Sequence, residues 1–189
     1  MSKLEANQVD PATGTTLTLG TSGDTITIPS GVTIANSGTA TGFGANTPAF
    51  QGYYSSSYQT VSDNTATKLT IDTEEFDTSS AFDTSTSRFT IPSGQAGKYF
   101  LYTKFYSYSS NDTGRQCEIY IYKNGSLIDQ TENQYRLTQD NIVGGALYTS
   151  YISDASAGDY FEAYGNFNVN SGTDNRLYRA VFGGYKLIT

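Results

Sequence analysis

The side chains able to do chemistry in this chain are few, and their spacing decides most of what they could do. Histidine is absent, so the usual proton carrier near neutral pH and the commonest metal ligand are both missing. Carboxylates remain. Asp72, Glu74, Glu75, Asp77 and Asp83 form an acidic run whose oxygens could ligate a hard cation such as calcium. Its spacing matches no EF-hand loop, and it reads as a solvated loop. Asp159 and Glu162 come nearest to the paired carboxylates that glycoside hydrolysis requires, but an offset of three on a strand sends them to opposite faces. Cys117 is the single cysteine; it can form no intrachain disulfide and no zinc or iron–sulfur site, and reads as a small buried hydrophobe. No catalytic residue, cofactor or metal ligand is expected.

Tyrosine is the residue in surplus, with 16 copies beside 10 Phe. Tyr53, Tyr54 and Tyr58 cluster among serines, Tyr106 and Tyr108 lie in Tyr-Ser-Tyr-Ser-Ser-Asn, and Tyr120 and Tyr122 alternate with Ile119 and Ile121. Tyr mixed with Ser and Asn is the composition of adaptable binding surfaces, where rigid rings sit among hydrogen-bonding neighbours. These seven tyrosines read as subunit contacts or as contacts to a ligand such as a sugar, and the residues alone leave both open.

The elements that must carry these side chains are strands. The chain has 27 Thr, 21 Ser and 19 Gly, only 15% charged residues and a mean hydropathy of −0.42. Hydroxyls rather than charges make it polar, and the Thr, Tyr and Phe content favours pleated half-buried surfaces over helix. A net charge of −7 with five scattered Arg excludes a phosphate-binding groove, so no nucleic-acid partner is expected. No stretch approaches 18 apolar residues and the first residues carry no apolar core of a signal peptide. The expectation is a protein made in the cytoplasm of its producer, without membrane insertion; on that expectation the sequons at Asn111 and Asn124 carry no weight.

One compositional boundary divides the chain. Residues 1–47 hold four charged residues and a single aromatic, Phe43, whereas the other 25 aromatics lie from Phe50 onward. Within the first part, Leu17 and Leu19, Ile26 and Ile28, and Val32 and Ile34 alternate with polar residues at period two between Gly turns, which is strand patterning. Six aliphatic side chains cannot offset the entropy of ordering about twenty residues in a lone chain. Three copies wound about one axis could bury all six, so residues 15–35 read as a trimeric β shaft. A flexible Gly/Thr/Ser linker is the competing reading. Residues 36–47 read as a connector.

From residue 48 to 189, short strands alternate with turn signals: 49–55, 67–72, 88–91, 98–107, 118–123, 126–130, 146–153, 160–168 and 178–188. Asn124-Gly125 is the clearest hairpin turn. The long strand from Lys98 carries Tyr99, Leu101 and Phe105 on one face and Phe100, Tyr102, Tyr106 and Tyr108 on the other. One face fills a sandwich core; the other needs cover that a single chain does not supply.

Phe89-Thr90-Ile91-Pro92, then Gly97-Lys98-Tyr99-Phe100, Lys123-Asn124-Gly125, Gly158-Asp159 and the closing Phe182-Gly183-Gly184-Tyr185-Lys186-Leu187 resemble the globular head of the complement first-component q subunit. The resemblance covers residues 48–189 and implies a ten-stranded jelly roll of the tumour-necrosis-factor-like kind, a tight trimer, and a terminal Phe182 and Leu187 at the trimer centre. Residues 2–38, from Ser-Lys-Leu-Glu-Ala-Asn-Gln-Val-Asp to Ser-Gly-Val-Thr-Ile-Ala-Asn-Ser-Gly, look like the anchor and shaft of short virion fibres of tailed phages.

The expected architecture is therefore all-β, with a virion anchor at 1–14, a shaft and connector at 15–47 and a jelly-roll head at 48–189. The expected role is that of a non-enzymatic, homotrimeric virion fibre. Its N-terminus docks on a tail or capsid protein, and its head binds a glycan or protein of the host surface. A capsid decoration or head fibre is the alternative, and a polysaccharide-degrading tailspike a remote one.

Overall fold

In a computed structural model of the chain, residues 9, 11, 13–35, 37, 46–109, 114–136, 144–169 and 175–188 are described. The chain divides into two units, Met1–Phe43 and Gly44–Thr189. Most of the expected anchor and connector, and the sequon at Asn111, lie outside the described residues.

In the first unit, residues 13–35 form turns but no strand in the single chain. The Asp24 carboxylate accepts from the Thr21 backbone N–H at 2.7 Å and from its hydroxyl at 3.0 Å, and the Asp24 N–H returns to the Thr21 carbonyl. These bonds hold the Asp24 carboxyl below its usual range. The six aliphatic residues have no core here: Leu17, Leu19, Ile26, Ile28, Val32 and Ile34 are 43–63% exposed.

The second unit is two antiparallel sheets. One contains β1 (Ala49–Tyr53), β2 (Tyr58–Thr60), β4 (Thr73–Asp77), β7 (Gly97–Ser109), β11 (Gly144–Ala155) and β13 (Asn175–Lys186), in the order β11-β7-β13-β1-β4 with β2 also on β13. The other contains β3 (Thr67–Lys68), β5 (Phe82–Asp83), β6 (Arg88–Thr90), β8 (Gly114–Lys123), β9 (Ser126–Leu127), β10 (Asn133–Arg136) and β12 (Tyr160–Val169), in the order β10-β8-β12-β6-β5, with β3 on β12 and β9 on β8. The ten strands expected become thirteen strand segments among the described residues, three of them two residues long.

Alternation in β7 is as the residues dictate: Tyr99, Leu101 and Phe105 are buried, while Phe100, Tyr102 and Tyr108 are half-buried and Tyr106 is exposed. The buried face meets Cys117, Ile119 and Ile121 of β8 and Phe161 and Phe167 of β12 in one core. Phe50 of β1 stacks on Phe89 of β6 with ring centroids 4.1 Å apart, and meets Phe182 of β13 edge-on at 5.1 Å. Each such pair adds about 1 kcal/mol to the burial it accompanies. Phe182 thus belongs to the core between the sheets, at 0% exposure, and cannot lie at a trimer centre as the resemblance implied.

Asn124 and Gly125 form the β8–β9 hairpin with φ of 51° and 78°, the paired positive angles a two-residue turn of this twist requires. Gly158, before β12, has φ of 87°. The strand expected over 67–72 is cut short. Leu69 N–H still reaches the Ala163 carbonyl at 2.8 Å, and beyond it side chains take over: Gln59 Oε1 accepts from Thr70 N–H at 2.9 Å, and Ser87 Oγ accepts from Ile71 N–H at 2.9 Å. Leu69 and Ile71 are fully buried all the same.

Candidate functional site

The acidic run resolves into turn chemistry plus an edge strand. Asp72 accepts from the Ser55 N–H and hydroxyl at 2.8 and 2.9 Å. Asp77 accepts from the backbone N–H groups of Ser79, Ala81 and Phe82, and Asp83 from the hydroxyls of Ser85 and Thr86. Thr73–Asp77, read as a solvated loop, is strand β4 paired to β1. Its Glu74 and Glu75 are exposed, as suits a charged sheet edge. Among the described residues no three His, Cys, Asp or Glu groups gather to hold a metal ion.

Asp159 and Glu162 have separate partners and form no catalytic pair. Asp159 precedes β12 and is bound by Lys123 Nζ at 2.9 Å, Asn124 Nδ2 at 2.8 Å and Ser156 N–H at 2.9 Å. Glu162, 3% exposed on β12, accepts from Arg88 Nε and Nη2 at 3.1 and 3.0 Å and from Lys68 Nζ at 3.2 Å. Arg88 also lies 3.8 Å over the ring of Tyr160, a cation–π contact that fixes its plane.

Six of the seven singled-out tyrosines are divided between the two sheets. Tyr120 and Tyr122 lie on β8, away from the core, on the seven-stranded sheet. Tyr122 stacks on Tyr164 at 4.0 Å, and the Tyr120 hydroxyl donates to the buried Glu118 carboxylate, which also accepts from Asn166 Nδ2 at 2.7 Å. Burial, and next this bond, push the Tyr120 hydroxyl far above the usual tyrosine range. Tyr54 packs against the core.

Tyr53, Tyr58, Tyr106 and Tyr108 share the outer face of the six-stranded sheet. Register places them: Tyr53 opposes Val181, which opposes Lys104, while Tyr58 opposes Tyr178, which opposes Tyr106. The same face gathers Phe100, Tyr102, Tyr148, Ile152 and Tyr185 toward its other end. Tyr148 and Ile152 are 49% and 52% exposed. The sequence reading passed over these two, although they sit at period two within an expected strand; without register, nothing tied that strand to β7.

Toward the Tyr106 end the face is concave. A pocket of about 620 Å³ opens between Lys104, Tyr106 and Tyr108 of β7, Ala146 of β11, and Tyr178 and Arg179 of β13. Tyr178 lies 5.3 Å from Tyr58 and 6.0 Å from Tyr108 between ring centroids. Arg176 stacks over Tyr58 at 4.2 Å, with Nη1 3.4 Å from the Tyr178 hydroxyl. Arg179 has φ of 53°, where the register of β13 against β7 shifts between Tyr178 and Val181. The shift is pinned from the side by the Tyr54 N–H on the Ala180 carbonyl at 2.9 Å. Of its lining, Tyr106 and Tyr108 are among the tyrosines expected to make subunit or ligand contacts; Lys104, Tyr178 and Arg179 are not, because their convergence depends on a bulge that alternation does not reveal.

No family model matches the chain, and no curated protein matches it. Solved structures do. The globular domain of zebrafish complement 1qA protein superposes with a TM-score of 0.51 at 15% identity, covering 75% of this chain and 98% of that one. The crystal structure of murine APRIL at pH 5.0 gives 0.54 at 10% identity, covering 74% and 98%. At such identities the likeness concerns the fold: residues of the second unit form a jelly roll of the complement-q and tumour-necrosis-factor-like kind.

Proposed function

We propose that the chain is a non-enzymatic, homotrimeric fibre protein of a tailed-phage virion, whose head adsorbs to the host cell surface. The observation that carries the reading is apolar surface left over in both units. Phe100, Tyr102, Tyr148, Ile152 and Tyr185 make an apolar patch on one sheet face, bordered by Lys104 and the Lys98–Asp154 pair, and the six aliphatic residues of 15–35 are exposed in the single chain. Patches of this kind on a soluble protein mark an interface. A homotrimer covers the first through the sheet face and the second through a shaft.

The virion role rests on the likeness of residues 2–38 to phage fibre anchors and shafts, and binding then follows from avidity. Three equivalent heads per fibre and several fibres per particle turn weak contacts into firm adsorption. A capsid-decoration role uses the same assembly on a different anchoring surface. Two measurements test the reading. Light scattering on the eluting full-length protein should give three times 20.4 kDa, and a stable monomer would sink the assembly. Antibody-gold labelling of virions should mark projecting fibres, and label confined to material outside particles would overturn the virion role.

A further inference from the structure

The outer face of the six-stranded sheet has two unlike halves. The half around Phe100, Tyr102, Ile152 and Tyr185 ends on the Lys98–Asp154 ion pair, whose charges offset each other, whereas the pocket at the other end is framed by Lys104 and Arg179 with no carboxylate among its described lining residues. In a chain with 18 acidic and 11 basic residues, two cations on one concave wall, with no acid between them among the described residues, make a local positive field that favours an anion. In a cyclic trimer this half would meet a different surface of the next copy, so a carboxylate of a neighbouring copy is the competing occupant.

The remaining wall is tyrosine. Tyr106, Tyr108 and Tyr178 present ring faces and hydroxyls, and Tyr178 is held between Tyr58 and Tyr108. Rings fixed this way offer flat apolar area to the C–H faces of a sugar, and their hydroxyls serve its oxygens at low entropic cost. Arg179 holds a left-handed backbone conformation that a side-chain-bearing residue rarely adopts, and the bulge that imposes it also places Arg179 on the pocket wall. A guanidinium matches a planar carboxylate with two parallel hydrogen bonds, and Lys104 adds a second positive charge. The volume of about 620 Å³ lies within the range of small-ligand sites, roughly 300–1,000 Å³.

We infer that this pocket binds an acidic sugar: a pyranose bearing a carboxylate, stacked on Tyr178 and Tyr106 with its carboxylate on Arg179 and Lys104. The inference rests on the proposed reading that the head contacts a cell surface, and names the class of ligand. The test is titration calorimetry of the full-length protein with a panel of hexuronate oligosaccharides and with the same oligosaccharides reduced to neutral alcohols. It is repeated on Arg179→Asn with Lys104→Gln; Asn tolerates the positive φ, and Lys104→Gln alone carries the readout should the double variant unfold.

Expected are binding of at least one hexuronate at least tenfold tighter than its neutral counterpart, weakening with added salt, and a loss of tenfold or more in the double variant with melting temperature and oligomer mass unchanged. Equal binding of the neutral sugars, or full binding by the double variant, overturns the pocket assignment. So does absence of hexuronate binding together with a changed oligomer mass in the variant, which would assign Arg179 to a carboxylate of a neighbouring copy. If no hexuronate binds while labelled protein still decorates the cells that the virions infect, the inference fails and the adsorption reading stands. Hexuronate binding without cell decoration gives the reverse.

Discussion

The Tyr102 hydroxyl donates to the Gln51 side-chain carbonyl across Gly183, so one hydrogen bond ties β7 to β1 over the strand between them. The ring can lie flat there because position 183 has no side chain: a Cβ would come 3.0 Å from Tyr102 Cε1 and closer still to the end of the ring. Tyr102 is thereby laid down as part of the apolar patch instead of standing away from it, and burial pushes its hydroxyl above the usual tyrosine range.

Gly183→Ala should therefore separate folding from assembly. The new methyl meets the movable end of a side chain and not backbone, so Tyr102 swings outward, releases Gln51 and spoils the patch. The expected result is a head that melts within a few degrees of the parent while the trimer dissociates at concentrations at least tenfold higher, a hundredfold change in the trimer's dissociation constant or about 2.7 kcal/mol per trimer. Sedimentation or light scattering over a dilution series reads this, and unchanged dissociation would remove Tyr102 from the contact.

Glu162→Gln tests the buried charge on the opposite sheet. Glu162 is nearly inaccessible, yet its two cationic partners are each 36% exposed, so water screens part of the interaction. The amide keeps the shape of the carboxylate and loses the charge-assisted bonds to Arg88 and Lys68. A loss of about 2 kcal/mol in unfolding free energy is expected, the scale of a hydrogen bond to a charged group. Denaturant unfolding gives the value, and a change below a few tenths would make the cluster dispensable.

Cys117 is fully buried, and that burial pushes its thiol up to about 12. Thiolate is the reactive form, so the native protein should leave a disulfide reagent such as dithiobis-nitrobenzoate unreacted for hours near pH 8, then release one equivalent on addition of denaturant. Fast reaction of the folded protein would place the thiol at the surface and contradict the packing of β8 against the core.

The contrast between β7 and β4 shows what alternation can and cannot disclose. Tyr99, Leu101 and Phe105 against Phe100, Tyr102 and Tyr106 is a two-faced pattern that only a covered strand explains, and its faces were legible in the residues. Thr73-Glu74-Glu75-Phe76-Asp77 has no such pattern, because an edge strand with one side in water is kept polar and charged; Asn133–Arg136 of β10 was missed for the same reason. Residues 70–72 erred in the other direction, since side chains of Gln59 and Ser87 took over the bonding of an apparent strand. The tyrosines were recognised as interaction residues, but which sheet each occupies depends on register, and the pocket depends on the bulge at Arg179. Phe182 was the clearest misplacement: its period-two neighbours Gly184 and Ala180 are also buried, so this face of the closing strand serves the core while Gly183 and Tyr185 lie on the other.

Asp159 makes the fold's stability sensitive to acid. Hydrogen bonding by the Lys123 ammonium, then by the Asn124 amide and the Ser156 N–H, holds its carboxyl well below the ordinary value of 3.8. A lowered folded-state value means that the ionised form stabilises the native state fully above the unfolded value, and that this contribution is lost as pH falls below it toward the folded one. Asp159→Asn removes the titrating group and keeps the shape, so the variant should melt lower than the parent by a constant margin from about pH 7 to about pH 5, and the margin should shrink steadily between about pH 4 and pH 2. Subtracting the two melting profiles cancels every other titration in the chain. A margin that persists undiminished to about pH 2 would show that the bonds to Asp159 do not depend on its charge.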